Sequence, residues 1–124
     1  MFTQPSIFTR IGGHSAVEAA VNSFYPKIME SRILRRFFNG ISSEEQIQKV
    51  RFFFIQAMGG PNVYTSFDIR AAHAPLLKKG LSDEHIDEFL RLMRETLEEL
   101  SIPDVLIEEF VELADSFRDD ILNR

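Results

Sequence analysis

Apolar residues recur at steps of three and four along nearly the whole chain, the period of a helix with one buried face. Between positions 14 and 30, Val17, Val21, Phe24, Tyr25 and Ile28 keep that step, and the turn "IGGH" at 11–14 opens the segment. Residues 31–40, "SRILRRFFNG", predict a short apolar turn or helix stopped by Asn39-Gly40. Ser42 and Glu45 have the spacing of a capping box and start a helix that ends at Gly59-Gly60-Pro61. Residues 61–68, "PNVYTSFD", predict a loop. A short stripe follows at 69–78, formed by Ile69, His73, Leu76 and Leu77 and interrupted by Pro75. Ser82 caps the next helix, which aligns Ile86, Phe89, Leu90, Met93, Leu97 and Leu100. Pro103 lies in the first turn of the last helix, with Leu106, Phe110, Leu113, Phe117 and Ile121 inward. No segment alternates with the two-residue period of a strand. The fold class is therefore all-α, with about four long helices and a few short ones.

One helix breaks its own pattern. In "EEQIQKVRFFFIQAMGG" (44–60), Gln46 and Lys49 share the face that carries Val50, Phe53 and Ala57. Such an amine either reaches water along its stem or meets a demand in the interior. Composition sharpens the question, because the chain has 12 Phe, 2 Tyr and no Trp. So much Phe in one small domain needs a large apolar partner, either an aromatic core or a flat apolar cofactor. The 124 residues suffice for one domain, spanning 1–124. A net charge of −5 with no long basic run argues against nucleic acid as a partner. The lack of cysteine excludes disulfides, thiolate metal sites, a cysteine nucleophile and thioether-attached haem. No apolar stretch reaches the roughly 18 residues of a membrane span, and no signal pattern opens the chain. A cytoplasmic protein with no membrane partner is expected.

Most chemistry is missing from the sequence. His14, His73 and His85 include no pair at helical zinc spacing. No serine sits in a nucleophile elbow, the glycine pairs lack the spacing of a phosphate loop, and the carboxylates lie mostly on solvent faces. Hydrolase, kinase and dehydrogenase readings have no support. What remains is His73 on an apolar stripe and three polar groups aimed inward: Tyr25, Gln46 and Lys49. Each alone has an ordinary explanation: a hydrogen-bonded histidine, a hydroxyl at the edge of the packing, a snorkelling amine. Together with the Phe excess they suit haem. Haem iron takes a neutral imidazole, the porphyrin needs apolar walls, and a buried donor stabilises bound dioxygen.

The order of short motifs resembles the truncated haemoglobins, and within them the first group. The marks are "IGG" (11–13), "FY" (24–25), "FF.G" (37–40), "GGP" (59–61), "YT" (64–65), "AAH" (71–73) and "GLSDEHIDEF" (80–89). They cover nearly the whole chain. The resemblance implies a truncated globin, a two-over-two helical sandwich around a haem pocket. It makes His73 the proximal iron ligand and Tyr25 the distal hydroxyl donor. Gln46 and Lys49 take distal positions, Phe38 wedges against the porphyrin, and Phe53 and Phe54 wall it. Tyr64, Leu77, His85 and Ile86 also come to the cofactor. The last helix has no histidine, so the implied cofactor is haem b held without a covalent link. Four departures stand out: Val50 where the family often has glutamine, Pro26 inside the second helix, Pro75 two residues past His73, and Ile86 where Phe is usual.

The implied function is binding of dioxygen, nitric oxide or carbon monoxide, with Tyr25 and Gln46 stabilising the ligand. Nitric oxide dioxygenation is the enzyme activity this site would support. It requires an electron-donating reductase, since no flavin or nicotinamide motif is present. Lys49 is expected either to bind the iron as an internal sixth ligand or to cover the haem edge with its stem. An alternative is a bis-ligated haem protein for electron transfer or sensing. A cofactor-free helical interaction module is the third. No apolar patch reads as a dimer face, so a monomer is expected.

Overall fold

The computed structural model describes residues 6–40, 42–58 and 66–124. Among them the regular structure is entirely helical. The elements are α1 (Ile7–Arg10), α2 (His14–Glu30), a 3-10 turn at Arg35–Phe38, α3 (Ser43–Ala57), α4 (Ser66–Leu77), α5 (Asp83–Glu99), α6 (Asp104–Asp115) and α7 (Arg118–Ile121). Helices α2 and α3 form one packed pair and α5 and α6 the other; α2 meets α5 and α3 meets α6 to join them. This is the expected two-over-two arrangement. No helix among the described residues is long and apolar enough to cross a membrane.

The starts of the helices follow local chemistry. Gly13 precedes α2 at φ 69° and Gly12 at φ 119°, a region that side-chain-bearing residues avoid. The tight turn lets the Gly13 N–H donate to the Phe8 carbonyl at 2.8 Å, while the Phe8 N–H reaches the Met58 carbonyl at 2.9 Å. That ties α1 to the end of α3. The Ser42 hydroxyl accepts from the Glu45 N–H at 3.3 Å and so caps α3.

Two expected elements differ in the structure. Helix α4 begins at Ser66, inside the predicted loop 61–68, and runs through Pro75 to Leu77. Pro75 removes one backbone donor, but Pro75 and Ala71, whose carbonyl loses its partner, both face solvent, where water replaces the bond. Pro26 and Asn22 are likewise exposed on α2, which continues to Glu30. The predicted last helix is two helices, broken at Ser116-Phe117. There the Ser116 hydroxyl donates to the Leu113 carbonyl, a local bond that competes with helix continuation. Ile107, Phe110, Ala114 and Ile121 are buried, Phe117 packs half-buried against the core, and Leu113, expected inward, is 41% exposed.

The core is built on aromatic rings. Phe54 is fully buried, edge-on to Phe24 at 5.3 Å between centroids and stacked on Phe110 at 5.4 Å. Phe24 also meets Phe89 at 4.9 Å, and Phe89 meets Phe53 at 5.4 Å. Each such pair adds roughly 0.5–1.5 kcal/mol beyond the area it buries.

Helix α4 is held by the chain's last residues. The Arg70 guanidinium donates to Asp120 Oδ1 at 3.1 Å and to the Arg124 carbonyl at 3.2 Å. Asn123 Nδ2 donates to the Arg70 carbonyl at 3.0 Å. The same terminal segment is pinned to the start of α5. Arg118 bonds Asp83 at 2.9 Å and Asp87 at 2.6 Å, and Arg124 bonds Asp83 at 2.8 Å. Arg124 and Arg118 together hold the Asp83 carboxyl at about 2, below its ordinary 3.8.

Candidate functional site

Beneath the 3-10 turn and between α3, α4 and α5 lies a cavity of about 430 Å³. Phe38, Phe53, Phe89 and Phe117 supply aromatic wall, and Val50, Ile86 and Leu90 supply aliphatic wall. Gln46, Lys49, His73 and His85 bring polar atoms to it. Helix geometry explains much of this set. Gln46, Lys49, Val50 and Phe53 recur at three and four on α3, as do Ile69, Ala72, His73 and Leu76 on α4.

His73 has one ring nitrogen committed to the backbone. Its Nδ1 lies 2.7 Å from the Ile69 carbonyl one turn earlier. A carbonyl only accepts, so Nδ1 carries the proton and Nε2 is left with its lone pair. Burial pushes the imidazole pKa below its usual value, and the nearby Lys49 ammonium acts in the same direction. The bond to Ile69 works against both. Burial thus favours the neutral form, and the Ile69 bond fixes the tautomer that leaves Nε2 free.

A second polar chain enters from α2. The Tyr25 hydroxyl donates to Gln46 Oε1, and Gln46 Nε2 donates to the Phe38 carbonyl. Gln46 is 2% exposed, so its amide is locked at both ends. Tyr25 stands behind Gln46 and is not itself part of the cavity wall. The relay fixes both the amide over the cavity and the backbone that carries Phe38.

The other expected residues divide. Phe38, Phe53, His85 and Ile86 line the cavity, as does Val50, noted as a departure from the resembling family. Phe54 does not: its ring is spent in the core between Phe24 and Phe110. Leu77 is not on the wall either, and Leu76, its neighbour, is. Lys49 lines the cavity yet is exposed, so its stem runs along the mouth and its ammonium reaches water. Tyr64, and the glycine pair at 59–60, lie outside the described residues. Phe89 and Phe117 were legible as inward residues but carried no signal that they face a cavity rather than the core.

One imidazole lone pair inside an aromatic cavity is the donor set of an iron porphyrin, whose ring supplies four more nitrogens. The residues present fit that group. His73 would hold the iron, Phe38 and Phe53 would offer the ring apolar wall, and Gln46 would bring an amide to the same cavity.

Comparison with known proteins agrees. The family model described as bacterial-like globin matches residues 6–123. The chain is 30% identical over 124 residues to a group 1 truncated hemoglobin of Tetrahymena thermophila, covering all of both chains. It is 30% identical over 122 residues to the group 1 truncated hemoglobin GlbN of Synechocystis, covering 96% of this chain and 98% of that one. Among solved structures, the 2/2 hemoglobin of Synechococcus superposes with a TM-score of 0.87 at 34% identity. That match covers 97% of this chain and 100% of the other, which is described as cyanomet with covalently attached heme.

Proposed function

This chain belongs to the bacterial-like globin family, with the group 1 truncated haemoglobins, and we propose that it binds haem b non-covalently through His73 and takes dioxygen as its principal ligand. Haem-based ligand binding comes with the family, and the cofactor-free module gives way to it. The observation that carries the finer reading is the His73 tautomer: Nδ1 is bonded to Ile69, so Nε2 is the free lone pair in a cavity walled by phenylalanine. The absence of cysteine, and of histidine in α6 and α7, supports a haem without covalent attachment.

The chain's own residues divide the work. His73 anchors the cofactor from one side. Phe38 and Phe53 fix its plane and exclude water. Gln46 holds an amide over the opposite side, and Tyr25 fixes which end of that amide points inward, because its hydroxyl needs the amide oxygen. Turning the Tyr25 hydroxyl away from Gln46 would offer a second donor to a ligand there. Bound haem would supply the iron that takes a diatomic ligand and the electron by which nitric oxide and dioxygen become nitrate, an electron that an external reductase must return. The protein works as a monomer in the cytoplasm on this reading, where such reductants are present.

A second reading has one observation in its favour. Lys49 lines the same cavity as His73, and its charge is felt at that imidazole. As a neutral amine it would fill the sixth position and slow entry of gases, which suits electron transfer or sensing. Its exposure favours the edge role instead. Absorption spectra of the ferric, ferrous and carbonmonoxy forms test both. His73→Gly should abolish the native Soret band, and an unchanged band would refute the assignment. If Lys49→Ala leaves the spectra of the unliganded protein unaltered, iron ligation by Lys49 is excluded.

A further inference from the structure

His85 is 6% exposed, yet it has one polar atom too many. Its Nδ1 accepts from the Ser82 N–H at 3.0 Å. A neutral imidazole bears a single proton, and with the Nδ1 lone pair in use that proton sits on Nε2. Nε2 in turn stands 3.5 Å from Arg36 Nη2. A guanidinium has no lone pair to offer. Two hydrogens therefore converge on one point, and neither group satisfies the other.

The convergence is built into the fold. The His85 ring stands edge-on to Phe37 at 4.8 Å, and the Arg36 guanidinium lies over the same Phe37 ring at 4.7 Å. Gly80 makes room from below. It has φ 93°, and a Cβ there would sit 3.4 Å from Arg36 Nη2. Most arginines of the chain meet carboxylates, Arg51 and Arg118 among them, but Arg36 forms no ion pair among the described residues. His85 lines the cavity, and Arg36 stands against it just outside the lining, over the lining ring of Phe37, so the missing acceptor is one that the cavity's occupant can bring.

We propose that Arg36 and His85 form a carboxylate clamp at the edge of the cavity, which accepts one carboxylate of the bound haem. One oxygen receives the Nε2–H of His85 and the other the guanidinium of Arg36. These are charge-assisted bonds, stronger than neutral ones. The proposal rests on the haem reading of the cavity and adds to it the residues that set how the macrocycle is turned in its plane.

The test is haem loss to excess apomyoglobin, followed by absorbance. The wild-type chain and Arg36→Met are each reconstituted with haem and with haem dimethyl ester, which lacks the carboxylates. Arg36 is exposed, so its loss leaves the core intact. With haem, Arg36→Met should lose pigment about tenfold faster than wild type, the cost of one charge-assisted bond. With the ester, the two should lose it equally fast. Equal rates with haem would overturn the clamp while leaving the haem reading standing, since the Soret band still forms. A tenfold difference that persists with the ester would overturn it as well. Absence of any Soret band in wild type would sink the haem reading and the clamp together. A further arm adds acetate to the loaded protein and reads the imidazole N–H of His85 by NMR. No shift supports occupancy by haem, whereas a saturable shift would assign the clamp to a free anion and refute the proposal.

Discussion

Replacing Phe54 with alanine separates the core from the pocket. Phe53 and Phe54 are neighbours in sequence, but one lines the cavity and the other is locked between Phe24 and Phe110. Phe54 has no exposed surface, so its truncation removes a whole buried ring and leaves a hole among rigid neighbours. Such substitutions cost about 3–5 kcal/mol. A chain of this length has an unfolding entropy of about 0.26 kcal/mol per kelvin near its midpoint, so a loss of about 4 kcal/mol lowers Tm by about 15 °C. Phe53→Ala should cost the haem-free protein less, since the Phe53 ring is only partly buried. It should instead speed haem loss. The assay is thermal unfolding of the haem-free and haem-loaded forms by far-ultraviolet circular dichroism, paired with haem-transfer rates. The expected pattern is a large drop in Tm with unchanged haem loss for Phe54→Ala, and the reverse for Phe53→Ala. Fast haem loss with little change in Tm for Phe54→Ala would put that ring on the cofactor and refute the assignment.

Three other outcomes follow from the geometry. The Asp83 carboxyl is held at about 2 against an ordinary 3.8, so its stabilising contribution is complete above pH 4 or so and is lost as pH falls toward 2. Urea midpoints measured down this range should show wild type losing its advantage over Asp83→Asn, and a gap that stays constant with pH would contradict it. Gly13 has φ 69° and ψ −145° with open space where a Cβ would go, so Gly13→Ala should cost about 1–3 kcal/mol through backbone strain alone, read as a lower denaturant midpoint. Tyr25→Phe removes the hydroxyl that orients Gln46; dioxygen release, measured by stopped flow, should quicken about tenfold for one lost hydrogen bond, and an unchanged rate would separate Tyr25 from ligand binding.

The helices were legible because their causes are local. The Ser42 cap, the glycine turn before α2 and the apolar stripes of α2, α3 and α5 each lie within a few residues of what they determine. Prolines misled for the opposite reason. Whether Pro75 ends a helix depends on what faces Ala71, which is solvent, and the sequence does not say so. The break at Ser116 depends on one hydroxyl turning back to Leu113. His73 was visible only as a histidine on an apolar stripe, and its role came from the order of motifs around it. Adjacent phenylalanines illustrate the limit well. A helical period places Phe53 and Phe54 about 100° apart, but which of the two directions holds cavity and which holds core depends on α5 and α6, far along the chain. The Arg36–His85 pair was hidden likewise, since it joins positions separated by 49 residues.

The clasp on α4 has a temporal corollary. The bonds that fasten the helix bearing His73 come from Asp120, Asn123 and Arg124, residues the ribosome adds some fifty positions after Arg70. During synthesis, then, the walls that α3 and α5 supply are made while the segment bearing His73 still lacks its anchor. A nascent chain that lacks Asp120, Asn123 and Arg124 therefore carries a loosely held imidazole at position 73.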